Sequence, residues 1–148
     1  MAGDGRAESG GPLVIPSRIW RDIVSHLSAC LPNEGVGLLG VSRGPGVTQV
    51  TEFFPGRNLN ESPSRFTMDP ADVLAALQAM DRAGSQLGGI VHSHPRTAPA
   101  PSATDLRELA LPGVINLIVQ MRPHVEARAW IISAAGESGA QEVTFQIR

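Results

Sequence analysis

The apolar run Leu87-Gly88-Gly89-Ile90-Val91 passes straight into His92-Ser93-His94-Pro95. A short apolar run bounded by Gly and Pro reads as a buried strand. Side chains at i and i+2 of a strand project to the same side. His92 and His94 therefore face together, and Ser93 faces away. Pro95 lacks a backbone N–H and fixes its own φ, which suits the point where a strand leaves its sheet. The fold must then bring other segments up against this strand end. Two neutral imidazoles one strand repeat apart can both reach one ion, with Zn–N distances of about 2.0–2.1 Å. Asp105, separated from His94 by ten residues, opens the next helix and can fold back as a third ligand. Three protein ligands leave a tetrahedral position open, which distinguishes a catalytic zinc from a structural one.

Other readings of the same residues stand beside this one. Ser102-x-x-Asp105 is also a helix start, with Ser as N-cap and Asp as its reciprocal partner. The two readings are compatible, since one carboxylate oxygen can ligate while the other accepts a hydrogen bond. Glu34, after Pro32-Asn33 at a helix-to-strand joint, reads by itself as an exposed charge. His26 and His124 read as ordinary residues, with no carboxylate at a useful spacing.

Around these residues the chain divides cleanly. Met1 to Pro12 is rich in Gly, Ala and charge and reads as a disordered tail; residues 13–148 read as one domain. Ile19, Ile23, Leu27, Cys30 and Leu31 recur at helical spacing up to Pro32. Gly35 to Val41 reads as a buried strand, Arg43-Gly44-Pro45-Gly46 as a turn, and Val47 to Phe54 as the returning arm of a hairpin. Pro55 to Ser64 is a loop and Arg65 to Met68 a short strand. Asp69-Pro70 starts a second helix, with Val73, Leu74, Leu77 and Met80 as its apolar stripe and Gly84 near its end. After the histidines come a loop (Arg96 to Pro101), a short helix (Ser102 to Ala110) and a buried strand (Val114 to Met121). Two further strands, Ala127 to Ile132 and Val143 to Ile147, flank a Gly/Ser turn. This order predicts an α/β (α+β) domain, a mixed sheet with helices packed on it.

Composition excludes several function classes. The net charge is -2 with no Lys/Arg-rich run, which argues against a nucleic-acid surface. Tyr is absent and aromatic residues make up 4%, too few for a base-stacking platform. No apolar run approaches the roughly 20 residues of a membrane span. Cys30 is the single cysteine, so there is no internal disulfide and no Cys-x-x-Cys metal site, which points to a reducing, cytoplasmic setting. The same count removes a zinc deaminase, which wants Pro-Cys-x-x-Cys. A His-Glu-x-x-His string is absent, and Ser102 lacks a Gly-x-Ser-x-Gly elbow.

Taken together, Glu34, His92-Ser93-His94-Pro95 and Ser102-Ala103-Thr104-Asp105 resemble the JAMM (MPN-plus) metalloprotease family in its compact, stand-alone prokaryotic form. The spacings match, as do the flanks Pro32-Asn33 and Gly37-Leu38-Leu39-Gly40. The resemblance implies a JAMM/MPN domain of the cytidine-deaminase-like kind, with one Zn2+ per chain on His92, His94 and Asp105. It makes Glu34 the general base and then acid, and Ser102 a hydrogen-bond donor to the oxyanion. It implies cleavage of the amide bond after the C-terminal Gly-Gly of a ubiquitin-like protein or a sulfur-carrier protein of the ThiS/MoaD type. Val36 departs from the Cys that many compact members carry there, which bears on subgroup rather than mechanism. Short loops at Pro55–Ser64, at Arg96–Pro101 and after Asp105 favour either a generous specificity or a small carrier. Its Gly-Gly tail is expected to add beside an exposed strand, with Arg57, Asn58 and Arg65 either bordering that groove or simply solvated. The alternative is a non-catalytic scaffold of the MPN-minus type, but such relatives lose ligands and here none is missing.

Overall fold

The computed structural model describes residues 11–133 and 139–148. Most of the expected tail and the centre of the expected Gly/Ser turn lie outside these residues. The elements are β1 (Leu13–Ile15), α1 (Ser17–Cys30), β2 (Val36–Gly44), β3 (Val47–Gly56), α2 (Pro70–Ala83), β4 (Gln86–His94), α3 (Ala103–Glu108), β5 (Ile115–Gln120), β6 (Glu126–Ile132), β7 (Ala140–Val143) and β8 (Phe145–Ile147).

The strands form one mixed sheet in the order β7-β6-β5-β4-β2-β3-β1-β8. β4 runs parallel to β5, and β1 parallel to both β3 and β8, while the other pairs are antiparallel. β4 is therefore central, and its histidine end is buried between neighbours. Consecutive strands β7 and β8 take opposite ends of the order with only Thr144 between them. The sheet must roll until its two margins approach one another at that residue. The expected single strand Val143 to Ile147 is thus two strands, and β1, which was not anticipated, bridges β3 and β8. No strand forms at Arg65 to Met68; that segment contributes one bridge, Asn58 to Met68.

The rolled sheet explains where the helices go. α1 presents Ile19, Ile23 and Leu27 to a core of Leu13, Ile15, Leu39, Val50, Val91, Leu117 and Val119. Ala76 and Met80 of α2 cover the opposite face, against Val36, Leu38, Ile90 and Val114. Alternation along β4 thus sends Val91 toward α1 and Ile90 toward α2. The caps of α2 form as the sequence dictates: Asp69 accepts from the Ala71 N–H at 2.9 Å, Pro70 opens the helix, and Gly84 closes it at φ 75°. Its buried stripe differs from expectation. Leu74 and Leu77 are 57% and 40% exposed, and Val73, Ala76 and Met80 carry the packing. The β2–β3 hairpin turns on Pro45-Gly46, with Gly46 at φ 75°, a conformation that costs glycine little. Among the described residues no helix is long and apolar enough to cross a membrane.

Candidate metal centre and active site

β4 delivers both histidines to one point. His92 pairs with Val36 of β2 and Ile118 of β5, and His94 with Gln120 of β5. Their backbones are fixed from the sides and their rings share a face. The two Nε2 atoms lie 3.2 Å apart. α3 brings Asp105 to the same place: its Oδ2 is 3.3 Å from His92 Nε2 and 3.2 Å from His94 Nε2. All three residues are buried. The cap reading of Ser102 holds as well, although the expected division between two carboxylate oxygens does not: Asp105 Oδ2 faces the histidines and accepts the cap hydrogen bond too. The Asp105 N–H donates to Ser102 Oγ at 3.0 Å, and the Ser102 N–H donates to Asp105 Oδ2 at 2.9 Å. This reciprocal capping box aims the carboxylate at the histidines.

The dimensions of this triangle test whether a metal fits. Donors bonded to zinc at about 2.0–2.1 Å in a tetrahedron stand about 3.3–3.4 Å from one another. The three edges are 3.2, 3.3 and 3.2 Å. His94 Nδ1 lies 2.8 Å from the Ala98 carbonyl, which only accepts, so Nδ1 carries the hydrogen. In the neutral ring the Nε2 lone pair then points into the triangle, a common way of orienting a ligating histidine. The Ala98 loop is itself held by Trp130 Nε1, which donates to the Pro99 carbonyl at 2.9 Å. A buried N,N,O set with converging lone pairs fits a small divalent cation.

Protonation favours that chemistry at His92 and Asp105 and sets a proton against a metal at His94. Burial lowers the His92 pKa and keeps the ring neutral, despite the opposing pull of Asp105. Burial also works against a charged His94, but hydrogen bonds to Asp105 and Ala98 prevail and raise it above its ordinary value. Burial would lift the Asp105 carboxyl, yet contacts from both histidines and the Ser102 N–H hold it well below the usual carboxylate range. His92 Nδ1 is buried without a partner, and the Phe66 ring lies 4.8 Å from the His92 ring, centroid to centroid.

Glu34 is not the exposed charge that its local sequence suggests. It is only 5% exposed, and it is held from three directions. Its N–H donates to the Ser62 carbonyl at 2.8 Å, and its carbonyl accepts from Asn58 Nδ2 at 3.0 Å. The next residue is tied to the histidine strand: the Gly35 N–H donates to Ser93 Oγ at 2.7 Å, and the Ser93 N–H donates to the Gly35 carbonyl at 3.0 Å. Gly35 is required for this approach, since a Cβ there would meet Leu27 Cδ2 at 2.8 Å and Cys30 Sγ at 3.0 Å. Burial raises the Glu34 carboxyl to about 7, with His94 pulling it down and Asp105 pushing it up. A carboxylate near neutrality is suited to taking and returning a proton.

Two positioning residues had no clear sequence signal. Ser93 was legible only as a side chain facing away from the histidines, yet its hydroxyl is the side-chain tie, beside a backbone one, between β4 and the Glu34 segment. A buried Ser on the far face of a strand was the available hint. Asn58 lines the cleft beside Glu34, but its side-chain amide is taken up by the protein's own backbone. Its amide donates to the Glu34 and Arg65 carbonyls, and its Oδ1 accepts from the Asn60 and Thr67 N–H groups, all at 3.0 Å. Arg57 does border the cleft beside Glu34. Arg65 pairs loosely with Glu108 at 3.7 Å on the surface. Among the two ordinary histidines, His26 Nε2 contacts the Val36 carbonyl at 3.0 Å and His124 sits exposed, 3.8 Å from Glu126.

Comparison with known proteins places this geometry. The family model of prokaryotic homologs of the JAB domain matches residues 16–145. A probable TtuB-protein conjugate cleaving protease of Thermus thermophilus is 35% identical over 65% of this chain and 62% of its own length. A desampylase of Haloferax volcanii is 34% identical over 55% of this chain and 59% of its own. The chain thus spans about six-tenths of the length of these two relatives. A CysO-cysteine peptidase of Mycobacterium tuberculosis is 31% identical over 76% of each chain. A solution structure from Desulfitobacterium hafniense superposes with a TM-score of 0.81, at 30% identity and 92% coverage of both chains. A JAB1/MPN domain protein from Archaeoglobus fulgidus shares the fold at a TM-score of 0.59 and 19% identity, over 94% of this chain and all of its own. With the match running from the start of α1 to β8, the chain belongs to the prokaryotic branch of the JAB-domain family.

Proposed function

We propose that this protein is a zinc-dependent peptidase that hydrolyses the amide bond after the C-terminal Gly-Gly of a ubiquitin-like or sulfur-carrier protein. The carrying observation is the 3.2–3.3 Å triangle of His92, His94 and Asp105 with a buried, nearly neutral-pKa glutamate fixed to the same strand. The names of the relatives, a conjugate-cleaving protease, desampylases and a CysO-cysteine peptidase, support the substrate class. The lone cysteine supports a cytoplasmic setting.

Zinc held by His92, His94 and Asp105 would supply Lewis-acid polarisation of the scissile carbonyl. The Glu34 carboxylate takes a proton from the attacking water as the new C–O bond forms. Ser102, whose hydroxyl oxygen already accepts from the Asp105 N–H, keeps its own hydrogen free to donate to the developing oxyanion. Glu34 then passes its proton to the leaving nitrogen as the C–N bond breaks. Burial of the ligands keeps their charges from being screened by water.

The tail has a ready approach. β1 pairs with β3 only at Thr48 and Gln49, so among the described residues Thr51 to Gly56 keeps an open flank on the side away from β2. That flank runs into the cleft lined by Glu34, Pro55, Gly56, Arg57 and Asn58. An extended Gly-Gly segment can add there by backbone hydrogen bonds. The test is direct. Glu34→Gln should bind one equivalent of zinc and lose at least about 100-fold in turnover of carrier conjugates. A variant cleaving at the parental rate would remove Glu34 from the mechanism.

A further inference from the structure

Two buried side-chain atoms have no hydrogen-bond partner among the described residues, His92 Nδ1 and Asn116 Oδ1. They are complementary. His92 Nε2 faces His94 and Asp105, so a lone pair offered to a metal there leaves the ring hydrogen on Nδ1, a donor without an acceptor. Asn116 Nδ2 donates to the Leu109 carbonyl at 3.4 Å. A carbonyl only accepts, so the amide oxygen is the atom left over, an acceptor without a donor.

The fold sets the two side by side. β4 and β5 are parallel, with Ile90 opposite Asn116 and His92 opposite Ile118. Alternation puts Asn116 and His92 on one face, two residues apart along neighbouring strands. That step and one strand spacing leave about 8 Å between their Cα atoms, a gap that the two side chains and one water can span. α3 repeats the interval. Its Asp105 meets His92 Nε2 at 3.3 Å, and Leu109, one turn later, meets Asn116. The turn is closed by the Leu109 N–H, which donates to the Asp105 carbonyl at 2.9 Å. Four helical residues rise about 6 Å, close to the two-residue step of a strand, about 6.6 Å. His92 and Asn116 are both fully buried. The Phe66 ring, 4.8 Å from that of His92, and Ile90 on the same face are apolar.

We propose that Asn116 is a positioning residue for the metal centre. Its Oδ1 accepts the His92 Nδ1 hydrogen, directly or through one bridging water, and so fixes the tautomer and tilt of the ring. This rests on the metal-ligand reading of His92. His94 has the same support from the Ala98 carbonyl, and ligating imidazoles are generally held by the hydrogen on their second nitrogen. Left alone in an apolar layer, either atom is costly; joined, each satisfies the other. Through Leu109 the same amide holds the far end of the helix that presents Asp105. One side chain thus braces two of the three ligands.

Two substitutions separate the link to His92 from the brace on α3. Asn116→Leu keeps the volume and removes both hydrogen bonds. Asn116→Asp keeps an acceptor for His92, but its carboxylate has no hydrogen for the Leu109 carbonyl. Chelator competition should show zinc affinity lowered about 10–100-fold in Asn116→Leu and largely kept in Asn116→Asp. Equal losses in the two variants would leave Asn116 only its brace, and an unchanged affinity in Asn116→Leu would leave it no role at the metal; either overturns the proposal. Ring nitrogen and proton NMR of His92 in the parent reads the link without any variant. The Nδ1 proton should lie downfield, as hydrogen-bonded protons do, and exchange slowly with water; the shift of an unbonded ring would overturn the link. A parent that takes up no zinc would sink the metal reading instead, and the same proton would still report whether Asn116 holds the ring.

Discussion

At the scale of single residues, protons and a metal at the proposed site would compete for the same lone pairs. Hydrogen bonds to Asp105 and Ala98 raise His94 above its ordinary pKa against the effect of burial, so any proton held there must leave when a metal enters. Zinc affinity should therefore fall as pH drops, approaching tenfold per unit once His94 is protonated. Chelator competition across a pH series measures it, and a flat profile would mean that His94 is not a ligand. Ser93 makes a different kind of contribution. Ser93→Ala leaves the Gly35 N–H buried and unpaired, at a cost of about 1–3 kcal/mol. Zinc content should stay at one equivalent while kcat falls and KM holds, because the metal ligands stay put and the Glu34 segment loosens. Ser93→Thr keeps the hydroxyl and should restore the rate; urea unfolding and steady-state kinetics separate the two effects. The histidine pair and Asp105 were readable in the sequence because their spacing is local to one strand and the next helix. Ser93 and Asn58 were not, because their partners lie 58 and 24 residues away in the chain.

At the scale of elements, α3 opens on a residue with one observed role and one proposed role. Ser102 caps the helix and is the proposed oxyanion donor. Ser102→Ala should cost about 0.5–2 kcal/mol and about 10²–10³ in kcat. Ser102→Asp can cap but has no hydrogen to donate, so it should recover thermal stability without recovering turnover. If both variants kept the rate, the hydroxyl would have only its capping role. The boundaries of α2 were legible because Asp69, Pro70 and Gly84 act within a turn of themselves. Its buried face was misread. Leu74 and Leu77 fit the helical period as well as Val73 and Met80 do, and periodicity does not say which of two adjacent apolar stripes meets the sheet. The sheet is contacted by the narrower stripe with Ala76 at its centre, where a small side chain allows close approach.

At the scale of the whole molecule, the fold depends on a closure that local patterns do not encode. β1 and β8 have three residues each, shorter than the runs from which strands are read, and they pair across nearly the full length of the chain. Ser17 N–H donates to the Arg148 carbonyl at 2.7 Å, and Arg148 N–H to the Ile15 carbonyl at 3.0 Å. Removing residues 145–148 would strip β1 of a parallel partner and expose Leu13 and Ile15, both fully buried. We expect the truncated protein to melt several degrees lower, with zinc still bound at one equivalent, since β4 and α3 lie elsewhere in the sheet. Calorimetry with metal analysis would show it; an unchanged melting temperature would mean that the closure adds little.

Glu34 hangs by its own amide and carbonyl from Ser62 and Asn58, and the segment that carries them sets the Phe66 ring 4.8 Å from that of His92. Should Glu34 carry the proton as proposed, whatever leans on that segment from outside would tug on it. The tempo of cleavage would then register how a carrier seats its body, before its tail has arrived.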